Sequence, residues 1–339
     1  MRVRPRVRWV GGRLSAAFAN SRRQWEERRG ALLVLEAEDG GWGQGECSPL
    51  PGFSVDEGGV EELFKLQSFE LDVNTPLQDL PVLSPAATAA LECAVLDLAG
   101  RARGLGVGAL LGPTTPRRVS ALLDAPPGPG LVGQAEAAFA AGYGAVKWKA
   151  GRPGRFAEEL EALWDLRRAL PGAAIRLDIN QGWTFDEAVE KLARLEPLQL
   201  ELVEEPCPPP FPPSPVPLGA DESLLRPDGL ALLGPSVRAL VLKPMALGGA
   251  RACRRLAAFA ADRGLGVVVS HLLEGPVGLA FACEIASSLP GEVWACGLAP
   301  HAGLSAWPAV ELPQLQGGWI KPADRGLGLP PLLAALEGE

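Results

Sequence analysis

The chain has 339 residues, 47% of them hydrophobic and 21% charged, a globular composition long enough for two domains or for a barrel with an added unit. A net charge of −8 and an isoelectric point near 5.1 disfavour nucleic-acid partners and anionic membrane surfaces. The most apolar region, residues 264–289, is interrupted by His271, Glu274 and Glu284, so no membrane span is expected. Six scattered cysteines without a CxxC pair suit free thiols in a reducing cytosol, and two histidines make a zinc enzyme or a Ser-His-Asp hydrolase a poor fit.

In chain order, residues 2–10 alternate arginine with apolar side chains and are predicted as a strand rather than a secretion signal. Residues 11–24 are small, polar and basic and are predicted as a mobile loop. Residues 31–38 and 42–47 form a predicted hairpin around Asp39, Gly40 and Gly41, which tolerate positive φ. Residues 48–55, SPLPGFSV, form a stiffer, more apolar loop. Residues 84–104 are a predicted helix with Ser84 as cap, Pro85 in the first turn, Gly104 at the exit and an apolar stripe at Leu91, Ala94, Val95 and Leu98. The first hundred residues therefore read as an α+β unit.

From residue 119 strands and helices alternate. Strands are predicted over 119–123, 145–149, 175–178, 200–204, 218–221, 239–243, 266–270 and 293–296. Helices are predicted over 131–141, 155–170, 184–195, 248–263 and 275–288, the third opened by a capping box of Thr184 with Glu187. A proline-rich crossing occupies residues 206–217. Repeated βα units point to a parallel sheet closed into a barrel. An open doubly wound sheet is the alternative, but no glycine-rich phosphate loop follows any strand. The domain reading is a capping unit over 1–113, a barrel over 114–305, and a segment over 306–339, with a short strand at 319–321, that packs back on the capping unit.

The charged residues carry the chemistry. Within AVKWKAG, strand alternation puts Lys147 and Lys149 on one face and Val146 and Trp148 on the other. Two ammonium groups in a partly dehydrated place disfavour each other's protonation, which makes one of them a usable base near neutral pH. Successive strands then end in Asp178, Glu204, Asp221 and Lys243, at the end where barrels build active sites. Three carboxylates converging repel one another unless a cation sits among them, and oxygen-only ligands suit Mg²⁺ or Mn²⁺. A metal facing a substrate carboxylate, flanked by Lys149 and Lys243, fits removal of a proton α to that carboxylate. The other chemistry of a barrel lysine, a Schiff base, has no use for the acids. Trp148 and Trp183 read as packing residues, and His271 and His301 as structural histidines or contacts to a substrate carboxylate. Arg22 and Arg23 read as a solvated basic loop or partners for such a carboxylate.

KWK (147–149), RLDIN (176–180), VEEP (203–206), ADES (220–223) and LKPMALGG (242–249), in this order, resemble the enolase superfamily, in particular its muconate cycloisomerase-like branch. GWGQGECSPLPGFS (41–54) and VEEPC (203–207) are most similar to the o-succinylbenzoate synthases of that branch. The resemblance implies a (β/α)7β modified TIM barrel with an N-terminal α+β capping domain, and Mg²⁺ (or Mn²⁺) held by Asp178, Glu204 and Asp221. It implies Lys149 as base and returning acid in a syn dehydration, with Lys147 lowering its pKa and Lys243 acting from the opposite face. Asn180, Ser270, Gly297 and Phe53 would contact substrate, Arg176 and Glu222 would support the site, and residues 11–24 and 48–55 would close over the substrate tail. A small carboxylate is the expected partner. The racemisation of N-acylamino acids such as N-succinylamino acids needs the same lysines and metal, dipeptide epimerisation is the other alternative within the superfamily, and a non-catalytic barrel that only binds stays open; so does oligomeric state, a homo-oligomer included.

Overall fold

The structure is a computed structural model that describes residues 1–19, 24–53, 58–71, 77–300, 304 and 307–335. Arg22, Arg23, His301 and the end of the predicted 48–55 loop lie outside the described residues. The N-terminal layer is an antiparallel sheet of β1 (Arg2–Ala19), β2 (Gln24–Ala37), β3 (Trp42–Cys47) and a short edge strand that follows helix α1 (Gly59–Phe64), β4 (Phe69–Glu70), in the order β3-β2-β1-β4. The turn between β2 and β3 is the expected one, with Gly40 at φ 85°. The predicted loop at 11–24 is corrected: β1 runs on to Ala19, with Gly12 opposite Arg28 and Phe18 opposite Trp25 across an irregularity between Arg13 and Phe18. Small residues do not prevent extended pairing when a partner strand supplies the hydrogen bonds, and the irregularity absorbs the register change.

Helix α2 (Pro85–Arg103) lies on this sheet. A Cβ at Gly43 would sit 2.2 Å from the Ala94 carbonyl oxygen, and one at Gly45 2.0 Å from that of Ala90. The glycines of GWGQG thus let helix backbone approach strand backbone. Gly104 ends α2 in the left-handed region as expected, but the Ser84 side chain makes no cap bond. Its backbone N–H instead donates to Glu62 Oε2 at 2.7 Å. The helix is buried nearly all round, Glu92 and Asp97 included, because it is the seam between this sheet and the barrel.

After α3 (Val107–Leu111) and β5 (Arg117–Arg118), strands and helices alternate: β6 (Ser120–Leu123), α4 (Pro129–Ala140), β7 (Ala145–Lys149), α5 (Phe156–Ala169), β8 (Ile175–Asp178), α6 (Phe185–Leu195), β9 (Leu202–Glu204), β10 (Leu218–Ala220), β11 (Val237–Leu242), α7 (Pro244–Leu247), α8 (Ala250–Ala261), β12 (Gly266–Val269) and α9 (Pro276–Ser288). β6 to β12 form one parallel sheet in sequence order. The predicted eighth strand, 293–296, is not a regular strand, yet it closes the ring: Val293 bridges Val267, Gly297 bridges Ser270 and Cys296 bridges Val119. The fold is the expected α/β barrel with a capping layer. The predicted helix over 248–263 is present as α8 but starts only at Ala250, because Gly248 and Gly249 both take positive φ, and a side chain at Gly249 would meet the Glu92 carboxylate at 2.5 Å. The capping box of α6 is present, with Thr184 Oγ1 accepting from Glu187 N and Glu187 Oε2 from Thr184 N.

The C-terminal residues form β13 (Leu315–Gln316), β14 (Trp319–Ile320), which pairs with β13 and β5, and α10 (Leu332–Ala335). Leu327 N donates to Asp97 of α2, and Leu332 N to Gln44 of β3. The six cysteines are buried and none forms a disulfide. Among the described residues no helix is long and apolar enough to cross a membrane.

Candidate active site

The strand register lines up the charges. Lys149 of β7 stands opposite Asp178 of β8, and Asp178 opposite Glu204 of β9. Asp221 follows β10 and Lys243 follows β11. Counting 293–297 as the eighth position of the ring, Lys149 and Lys243 are four positions apart and face each other across the barrel mouth. Trp148 points the other way, buried, with its indole N–H donating to the Ala125 carbonyl at 3.3 Å, and Trp183 packs edge-on against Phe156. Both tryptophans are packing residues, as expected.

Glu204 and Asp221 are sealed from solvent beneath the lysines. Lys147 Nζ donates to Glu204 Oε2 at 2.9 Å and lies 3.6 Å from Asp178 Oδ2; Lys243 Nζ donates to Asp221 Oδ2 at 2.5 Å. Burial alone would lower the Lys147 pKa, but Glu204, Asp178 and Asp221 outweigh it and hold this ammonium above its ordinary value. Lys149 goes the other way. Burial, then the positive charges of Lys147 and Lys243, lower it to about 8 against the pull of Asp178. The carboxyls of Glu204 and Asp221 are raised, chiefly by burial.

These ammonium groups already compensate the converging acids, so repulsion by itself does not demand a metal. Among the described residues no three His, Cys, Asp or Glu side chains close into a ligand cluster as they stand, since the lysines hold the carboxylates. The unpaired oxygens are the better test. Glu204 Oε1, Asp221 Oδ1 and Asn180 Oδ1 are buried without a hydrogen-bond partner. A buried polar atom left unpaired costs ~1–3 kcal/mol. Three such oxygens, carried at the C-terminal ends of the neighbouring strands that bear Asp178, Glu204 and Asp221, suit a hard divalent cation as their missing partner.

A cavity of about 710 Å³ opens above, lined by Lys147, Lys149, Asp178, Asn180, Lys243, Ser270, His271 and Gly297 from the barrel and by Phe18, Trp25, Leu50 and Phe53 from the capping layer. This is within the usual range for a small-molecule site. Each flanking amine lies under an aromatic ring: Lys149 Nζ is 3.8 Å from the Phe18 ring centre and Lys243 Nζ 3.9 Å from that of Phe53. Ser270 Oγ donates to the Gly297 carbonyl at 3.3 Å, and His271 Nδ1 accepts from Leu273 N at 3.2 Å, a structural bond made at the cavity wall.

The two residues expected to support the site are placed differently. Arg176 shares a strand face with Asp178 but lies one layer deeper, where it pairs with Glu201 and donates to the Ala295 carbonyl; it touches none of the three acids. Glu222 points one carboxylate oxygen into the interior without a partner, and burial and the charges of Glu205 and Asp221 push its pKa well up.

Strand alternation puts Glu205, the second acid of VEEP, on the opposite face from Glu204 or in the loop that follows, yet it is buried. Its backbone takes φ 45°, and its carboxylate accepts from Asp221 N at 2.7 Å, Ser223 N at 2.9 Å, Ser223 Oγ at 2.7 Å and Gln181 Nε2 at 2.7 Å. It therefore fixes the turn that presents Asp221, and burial raises its pKa to about 7. The doubled acid before Pro206 was its only signal. Glu46 is likewise buried and accepts from Ser48 Oγ, Gly275 N, Gly278 N and Trp307 Nε1, joining β3 to the start of α9. An acid inside an otherwise glycine-rich and apolar strand was the available hint.

The family model described as enolase C-terminal domain-like matches residues 130–333. The o-succinylbenzoate synthase of Thermobifida fusca (strain YX) is 39% identical over 137 residues, which span 38% of this chain and 42% of that protein. The o-succinylbenzoate synthase of Klebsiella pneumoniae (strain 342) is 28% identical over 347 residues, 95% of this chain and 99% of that one. The solved structure of the dipeptide epimerase from Methylococcus capsulatus, complexed with Mg and the dipeptide L-Arg-D-Lys, superposes with a TM-score of 0.82 at 25% identity, covering 96% of this chain and 99% of that chain. A barrel with opposed lysines over three strand-end acids, roofed by an α+β layer and matched by that family model over residues 130–333, makes this chain a member of the enolase C-terminal domain-like family.

Proposed function

We propose that this protein is an o-succinylbenzoate synthase. It would dehydrate 2-succinyl-6-hydroxy-2,4-cyclohexadiene-1-carboxylate to 2-succinylbenzoate, a step of menaquinone synthesis. Asp178, Glu204 and Asp221 would hold Mg²⁺ or Mn²⁺, which when bound supplies positive charge to the substrate carboxylate. Holding it requires Lys147 and Lys243 to release the carboxylates they now bind.

Lys149, as the neutral amine, takes the proton from the ring carbon that bears the carboxylate. The electron pair left behind becomes the new ring double bond as the C–O bond breaks on the same face. The proton now on Lys149 goes to the departing hydroxide, so water leaves and the amine is regenerated. Lys147, charged throughout, keeps the amine of Lys149 from being protonated too readily. Lys243 faces the ring from the far side and offsets the negative charge that builds there. Phe18, Leu50 and Phe53 exclude water.

The observation that carries this reading is the pair of unlike amines across one cavity: Lys149 lowered to about 8, and Lys243 bonded to Asp221. The similarity to o-succinylbenzoate synthases along 95% of the chain supports the choice of substrate. The fold shared with a dipeptide epimerase favours one second reading, epimerisation of a dipeptide or racemisation of an N-succinylamino acid, in which Lys243 would return the proton from the opposite face. Assays of the purified protein with divalent metal on both substrates separate the two. Loss of the cyclohexadiene absorbance, abolished by a chelator and restored by Mg²⁺, is the expected result. An absorbance that stays constant while N-succinylamino acids racemise transfers the assignment to the second reading.

A further inference from the structure

The capping layer carries a buried guanidinium that the chemistry above does not use. Arg28 of β2 is 1% exposed. Its Nη2 donates to the carbonyls of Ser48 at 2.6 Å and Leu272 at 3.0 Å, its Nη1 to that of Pro49 at 2.7 Å, and its Nε to that of Leu273 at 3.2 Å. No carboxylate pairs with it among the described residues, although Glu46 and Glu274 lie near enough to favour its charge. With a weaker bond from Nη1 to the Arg29 carbonyl at 3.4 Å, the guanidinium faces five main-chain oxygens, and a charge so buried is costly unless the segments it joins must be held together.

Those segments belong to the two halves of the cavity wall. Ser48 and Pro49 begin the stretch that delivers Leu50 and Phe53. Leu272 and Leu273 follow Ser270 and His271 on the barrel rim, and Leu273 is kept at φ 58°, a conformation a leucine rarely adopts. Trp25 adds a bond from its indole N–H to the Pro51 carbonyl at 3.0 Å. A planar fork reaches four carbonyls in two segments; an ammonium, with three donors at one point, does not.

We propose that Arg28 is a positioning residue: it bolts residues 48–53 of the capping layer to residues 271–273 of the barrel rim and so fixes Phe53 over Lys243 and sets the shape of the substrate pocket. The effect on turnover rests on the proposed dehydration; the effect on the wall does not. The experiment is therefore read twice, on full-length Arg28→Ala and Arg28→Lys. Chymotryptic cleavage after Phe53 should rise at least tenfold in both variants at unchanged cleavage elsewhere, and guanidinium ion, but not methylammonium, should restore protection to Arg28→Ala. With the cyclohexadiene substrate KM should rise about tenfold while kcat falls less than threefold, the split expected for lost substrate positioning, and guanidinium should reverse it.

Wild-type-like protection and KM in a folded variant overturn the proposal, as does restoration by methylammonium as good as by guanidinium. If Arg28→Ala does not fold, Arg28→Lys is read alone: a protected, low-KM Arg28→Lys refutes it. If the wild-type protein does not dehydrate the substrate, the functional reading falls, and cleavage after Phe53 still decides the role of Arg28.

Discussion

Lys147 and Lys149 lie two residues apart on one strand face, both largely buried, and are driven in opposite directions. Lys147 leans into the acid corner made by Glu204 and Asp178 and stays charged. Lys149 leans into the capping layer under Phe18, where burial and two neighbouring ammonium groups lower it to about 8. The lesson is that burial makes a base only where counter-charge is scarce. Where carboxylates are close, the same burial strengthens the ion pair and fixes the proton.

Four changes break or sharpen this contrast. Replacing Asp221 by Ala removes an acid from the charged corner and leaves Lys243 without its partner. The loss of several kcal/mol of charge stabilisation predicts ~10³-fold lower kcat/KM and loss of Mg²⁺ dependence, read by steady-state kinetics with and without chelator. Activity that persists would show that the acids serve only the lysines. Lys149→Ala acts on the other corner. It should lower the rate ~10²–10⁴-fold and abolish exchange of the substrate α-proton with deuterium while substrate still binds; exchange that continues would move the base elsewhere.

Glu205→Gln loosens the support of Asp221 without touching Lys149. A cost of ~10–100-fold in Mg²⁺ affinity, measured by titration, is expected, as for other groups that orient a metal ligand. The smallest effect is a displaced pH profile. The working form of Lys149 is the neutral amine, and its pKa is lowered, so kcat/KM should climb with pH and level off above about 8. Lys147→Met deletes one of the positive charges that lower it and should move that limb to higher pH. A limb that stays in place would mean that burial by the capping layer alone sets the base.

Much of this molecule is legible in one dimension. The alternation of KWK, the acids at successive strand ends, the capping box at Thr184 and the glycine exit at Gly104 are local patterns, and period, spacing and backbone freedom are local properties. They were sufficient for the barrel, its capping layer and the residues that meet at its mouth. Local patterns were insufficient where a distant segment supplied the partner. Residues 11–19 pair as strand because β2 lies beside them, and the predicted 248–263 helix starts only at Ala250, where the Glu92 carboxylate of α2 lies against Gly249 and leaves no room for a side chain there. Glu205 turns inward because Asp221 and Ser223 offer their N–H groups, and Arg28 is buried because carbonyls more than 240 residues later in the chain receive it. Whether Lys147 or Lys149 gives up its proton was likewise decided only by the tertiary structure, since a pKa is set by the charges and the water around a group, and neither is written in its neighbours along the chain.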